Sequence, residues 1–248
     1  MKTIIFLLFL MKFTNLAFAD SLDRELSEYI SEFNYKPVER LKDFKPELIR
    51  LGSKLFGDLR LSLSGDKSCF ACHLSILGSG DNLPLALGVG TLYAGMPSGI
   101  FQNTASVTKR HTRPLYNKGH KEFNSLFTDG RVHKTTQGWK TPDEGFNNNE
   151  VSYQDIVKTI DSTLAVQALF PMVDLIEMRG EENQTLTNLE VWEKITFTLV
   201  NDPNLKRYFK EAFGNNKINI GHIANAIAHF EKYFFQVTET KWDKYLRG

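Results

Sequence analysis

Apolar positions recur at helical spacing over most of the chain, and the strict alternation that marks half-buried strands is almost absent. Ser21 opens a capped helix from Leu22 to Phe33. A second helix has Pro46 in its first turn, sets Leu48, Leu51 and Leu55 on one face and stops at Gly57. Gly78 to Gly99, rich in Gly, Leu and Pro, reads as a long loop, and 112–150 as irregular chain ending in Asn147-Asn148-Asn149. A further helix is expected from Tyr153 to Leu169, stopped by Pro171. Val191 to Val200 is helical, and Asp202-Pro203 starts another helix that ends near Gly214. Ile220, Ile223, Ala224, Ile227, Phe230 and Phe234 form an apolar stripe whose ordinary role is core packing. A short helix around Trp242 and Tyr245 closes the chain, and no internal repeat is visible. The pattern predicts an all-α protein with long irregular loops.

The first nineteen residues follow another logic. Lys2, the apolar run from Ile4 to Met11 and the small-x-small triplet Ala17-Phe18-Ala19 predict a secretory signal cleaved after Ala19, leaving 20–248 as the mature protein. The run is far short of the roughly 20 apolar residues that span a bilayer, and no later segment is apolar enough. Cleavage removes Lys2 and Lys12 and no acid, leaving 28 basic against 29 acidic residues, a formal charge of −1. A near-neutral chain argues against nucleic acid or an anionic membrane as partner. The cluster Lys109, Arg110, Arg113, Lys118 and Lys121 reads as solvated surface. At 248 residues, 42% hydrophobic, the chain suffices for one large domain or two small ones. Its 19 phenylalanines suit a protein that wraps a flat apolar cofactor, and equally a plain core.

Only two cysteines are present, in Cys69-Phe70-Ala71-Cys72-His73. This is the pattern for c-type haem attachment. On a helical turn, positions i, i+3 and i+4 share a face, so two sulfurs can reach the two vinyl groups of one porphyrin edge while the imidazole meets the iron. One covalent haem c is therefore expected, held by Cys69 and Cys72 with His73 as an iron ligand. Three other readings compete. A disulfide leaves the histidine unexplained, a zinc site needs four ligands and there is no second cysteine pair, and a thioredoxin-like pair lacks alternating strands and helices. His111, His120, His133, His222 and His229 are the remaining candidates for the other axial position, and each is individually more at home as a surface or packed histidine.

From about residue 45 to 248 the chain resembles the first haem domain of bacterial di-haem cytochrome c peroxidases, and the related methylamine-utilisation haem proteins. The resemblance is carried, in order, by Leu51 to Ser62, Asp81-Asn82-Leu83-Pro84, Arg110 to Asn117, Phe127 to Val132, Ala168-Leu169-Phe170-Pro171 with Glu177-Met178, Ile223 to Glu231, and Trp242 to Gly248. It implies a cytochrome c-like helical haem domain in the periplasm. It also implies hydrogen peroxide as substrate, a small cytochrome or copper protein as electron donor, and Glu177 as the catalytic acid–base residue. Arg131 is a candidate to fix a haem propionate or to buttress its loop.

The departures are informative. Such proteins have a second haem domain, and this chain stops where that domain would begin, so turnover is expected to need a second haem polypeptide as partner, a side-chain radical, or a missing C-terminal half. The position that holds a displaceable sixth ligand in many of these peroxidases is Val89 here, which cannot ligate iron. Thr128 stands where an aromatic residue often precedes Asp-Gly-Arg, and His111 replaces a calcium-binding asparagine, so calcium is not expected. The alternative reading is a mono-haem electron carrier or haem sensor on the same scaffold.

Overall fold

The computed structural model describes residues 21–91 and 106–248. The expected signal segment, and residues 92–99 of the Gly-rich loop, lie outside the described residues. The chain divides into two compact units, one spanning 41–236 and one made of the described residues 21–40 with 237–248.

Two long helices organise the larger unit. α2 (Pro46–Phe56) buries Leu48, Leu51, Leu55 and Phe56, with Pro46 in its first turn and Gly57 at its C-cap, as the pattern predicts. It packs along α9 (Ile220–Phe234). The approach is close because Gly52 has no side chain: a Cβ there would lie 1.9 Å from the Ala226 carbonyl oxygen. α9 starts in a capping box between Asn219 and His222, and its stripe of Ile220, Ile223, Ala224 and Ile227 is buried. Phe234, at the last turn, is 50% exposed, while the next residue, Phe235, is buried.

The expected helix from Tyr153 to Leu169 is broken. α5 (Gln154–Thr159) and α6 (Thr163–Leu169) flank an extended Ile160, and Ser162 caps α6 by accepting the Ala165 N–H. The break is held from α9. Asn225 donates to the Thr159 carbonyl at 2.8 Å and accepts the Asp161 N–H at 3.2 Å, replacing backbone bonds the helix would have made. α7 (Asn188–Val200) and α8 (Pro203–Phe213) complete the helical shell. Trp192 of α7 is fully buried, meets the rings of Phe146, Tyr153 and Phe170 edge-on, and donates to the Leu169 carbonyl.

The protein is predominantly helical, but the expectation of an all-α fold with 112–150 irregular needs correction. β1 (Ser125–Leu126), β2 (Val132–Thr135) and β3 (Gly138–Lys140) form an antiparallel sheet in that order, and α4 (Glu144–Asn147) follows. Strands of two to four residues are too short to print an alternation, yet Leu126 and Val132 reach the core.

In the smaller unit, residues 21–32 form helix α1 and Lys241–Arg247 form α10. Asp243 closes a capping box with Thr240 and accepts the Val38 N–H at 2.8 Å. Among the described residues no helix is long and apolar enough to cross a membrane.

Candidate active site

The two cysteines lie on one helical turn, α3 (Cys69–Cys72), which ends where the His73 N–H meets the Cys69 carbonyl at 3.0 Å. Both are free thiols, half-buried. Burial pushes the Cys69 thiol strongly up, with the Glu231 carboxylate adding to the effect. It pushes Cys72 up to about 11, opposed by the Lys67 ammonium. The thiols are thus neutral and keep part of their surface accessible within a desolvating interior.

His73 is prepared as a ligand. Burial lowers its affinity for a second proton, so the ring is neutral. Its Nδ1 lies 3.0 Å from the Ser79 carbonyl, an acceptor only, so Nδ1 carries the hydrogen and the lone pair is left on Nε2. Ser79 is itself anchored: fully buried, it accepts the Leu115 N–H at 2.8 Å. Phe56 of α2 lies beside the imidazole, its ring centre 6.5 Å away. Two neutral thiols on one face and an imidazole with a fixed free lone pair fit the donor set of a c-type haem. Among the described residues no group of three or more His, Cys, Asp and Glu converges to hold a bare metal ion.

Glu177 sits in a π-helical turn, Leu175–Arg179, a geometry frequent at functional positions. Asp174 caps the turn by accepting the N–H groups of Ile176 and Glu177 at 2.9 and 3.0 Å. The Glu177 carboxyl is half-buried and pushed up to about 7, first by desolvation, then by Asp174, against the pull of Arg131. It therefore exchanges its proton near neutrality. It lines a cleft of about 310 Å³ with Arg131, Asp174, Phe127, Phe170 and Pro171. Arg131 lies over the Phe127 ring at 3.9 Å and donates to Asp129 at 3.0 Å.

The loop after the cysteine turn is bound directly to the π turn. The Val89 N–H donates to the Ile176 carbonyl at 2.9 Å, and a Cβ on Gly88 would lie 1.8 Å from that same oxygen. Val89 is thus next to Glu177, and the carboxylates of Asp81 and Glu177 both act through space on the Cys72 thiol. The structure brings Cys72, Val89 and Glu177 into one neighbourhood.

The other histidines are engaged elsewhere. His111 meets the Thr112 carbonyl, His120 pairs with Glu122, His133 with the Gly130 carbonyl, His222 with the Asn219 cap and His229 with Asp161. Two buried groups near the cysteine turn escape a reading by motif. Glu231 is an acid on the inward side of α9, with Oε2 lacking a partner and its carboxyl pushed up to about 8 by burial. Its signal is its spacing, four residues after Ile227 on the apolar stripe. Lys67, 1% exposed, lies in a loop with no periodicity to reveal it.

The chain is 26% identical to the cytochrome c551 peroxidase of Nitrosomonas europaea over 220 residues, covering 86% of this chain and 48% of that protein. It is 25% identical to the cytochrome c peroxidase of Escherichia coli over 239 residues, covering 91% and 38%. A shorter stretch of 77 residues is 38% identical to the methylamine utilization protein MauG of Methylorubrum extorquens, 30% of this chain and 22% of that one. The chain spans about half the length, or less, of these relatives. A crystal structure of a MauG-like protein associated with microbial copper homeostasis superposes with a TM-score of 0.50 at 22% identity, covering 86% of this chain and 48% of that one, a likeness of fold. The profile of the di-haem cytochrome c peroxidases matches residues 46–248, most of the sequence, and the chain belongs to that family of haem proteins.

Proposed function

We propose that this chain is an exported, periplasmic haem protein with a cytochrome c-like fold that reduces hydrogen peroxide to water. Its electrons would come from a small cytochrome or copper protein, with a second haem unit completing the electron supply. Cys69 and Cys72 would hold one haem c through thioether bonds, and Nε2 of His73 would bind its iron. The haem supplies electron transfer to peroxide; the overall step consumes two electrons and two protons and yields two waters.

The observation that carries the reading is Glu177. Its carboxyl, near neutrality in its exchange and acting on the Cys72 sulfur, is placed to manage protons beside the attachment point. Glu177 takes the proton from one peroxide oxygen and returns it to the other, which departs as water. Asp174 holds the turn that orients it, and Arg131 keeps a positive charge in the same cleft. Ser79 orients the His73 ring. Val89, buried and apolar, would offer no ligand to iron.

The test is peroxide-dependent oxidation of a reduced small cytochrome by the haem-loaded protein, with and without an added second haem polypeptide. Turnover, with a high-spin ferric spectrum, is expected. No turnover under either condition, together with a low-spin spectrum, contradicts the proposal.

A further inference from the structure

Lys67 lies two residues before the cysteine turn, and its side chain is 1% exposed. Its Nζ donates to the Thr91 carbonyl at 2.8 Å. Desolvating an ammonium is expensive unless it is paired, and an apolar residue would fill the same space without that cost. The surroundings are unusually polar for a core. Asp81 Oδ2, Thr91 Oγ1 and Thr112 Oγ1 are buried without hydrogen-bond partners, and Asp81 is 2% exposed. The carboxylates of Asp66 and Asp81 act on the Lys67 ammonium through space, favouring its charged form against the effect of burial. Lys67 and Asp81 act with opposite sign on the Cys72 sulfur.

We propose that Lys67 is a buried cation that sets the reduction potential of the haem attached at Cys72. The inference rests on the haem attachment proposed above. Ferric haem gains one electron and one negative charge on becoming ferrous. A fixed positive charge in the same low-dielectric neighbourhood stabilises that extra electron. Without Lys67, Cys72 would face the carboxylates of Asp81 and Glu177 with no cation to offset them, so the ferric state would gain. A lysine that merely ties down Thr91 would affect stability and leave the charge balance of iron alone.

The experiment is a spectroscopic redox titration of the haem-loaded protein, with covalent haem measured separately by its mass and alkaline pyridine spectrum. At fixed ambient potential, Lys67→Met is expected to lower the ferrous-to-ferric ratio at least tenfold, a shift of about 59 mV for one electron. Lys67→Arg, which keeps the charge, should restore most of the difference. Asp81→Asn should move the ratio the other way. Attached haem with an unmoved potential in Lys67→Met, or a shift in Lys67→Arg as large as in Lys67→Met, overturns the inference alone. Should Lys67→Met fail to carry haem, Lys67→Gln decides: a lowered ratio supports the inference and an unchanged one overturns it. A wild-type protein without covalent haem overturns this inference and the proposed function together.

Discussion

Gly88→Ala is the substitution that most sharply couples the scaffold to the chemistry. The added Cβ would sit 1.8 Å from the Ile176 carbonyl oxygen and 2.7 Å from its carbon, where real Cβ contacts keep to 3.0 Å or more. Both neighbours are backbone, so the loop and the π turn must part by about 1.2 Å, the difference between 3.0 and 1.8 Å. Overpacking of this kind costs about 1–3 kcal/mol. The hydrogen bond from Val89 to Ile176, stretched by the same movement, is worth about 1 kcal/mol more. The expected loss is therefore about 2–4 kcal/mol in guanidinium denaturation. Glu177 follows Ile176 directly, and a displacement near 1 Å at a reacting group lowers rate by about a hundredfold. Stopped-flow reaction with peroxide on the same preparation measures that loss. Gly57→Ala, with nothing within 4 Å of its added Cβ, is the control and should stay within about 0.5 kcal/mol of wild type. A Gly88→Ala protein as stable and as reactive as the control would refute the packing argument and the coupling together.

Other expectations follow from buried groups. On the proposed function Glu177 acts as base when ionised, so the rate of the peroxide reaction should rise with pH through about 7 and level off above it. Glu177→Gln should flatten that profile and lower the rate about 10²–10⁴-fold, and an unchanged profile would remove Glu177 from the chemistry. Glu231 holds its proton to about 8 in the folded state and to its ordinary 4.5 in the unfolded chain. The folded protein thus binds more protons between those values, and stability falls as pH rises through the window. Glu231→Gln should remove that slope, being the more stable form above pH 8 and equal to wild type below about pH 4.5; denaturation curves that stay parallel across the range would contradict it. Trp192→Ala should cost about 3–5 kcal/mol by denaturant melt, since it empties a fully buried site and orphans the Leu169 carbonyl; a loss under 1 kcal/mol would show that the core collapses around it.

The parts of the fold visible in the sequence are those written locally. Pro46 and Gly57 bound α2, Asp202-Pro203 starts α8, and the isoleucines of α9 recur at 3.6 residues because one face packs against α2 and α6. What the sequence hides is set from a distance. The break after Thr159 is held by Asn225, more than sixty residues away, and locally only the Ser162 cap marks it. The sheet at 125–140 is too short for its period to register. Phe234 belongs to the stripe by spacing, but the helix ends there and Phe235 turns inward in its place. At the candidate site, the Cys69, Cys72 and His73 spacing is legible because one helical turn imposes it. Glu177 stands out in the sequence only through family resemblance, since its burial comes from a π turn and a loop some ninety residues earlier. Lys67 has no sequence signal at all, because its burial is a property of the loops packed round it.

The account depends most on covalent attachment at the single turn Cys69–Cys72. The direct measurement is the intact mass of the exported protein, made in a host with cytochrome c maturation, with thiol alkylation on the same sample. The predicted result is the added mass of one haem that resists acidic solvent extraction, and two cysteines closed to alkylation. A colourless protein whose Cys69 and Cys72 both alkylate would contradict it.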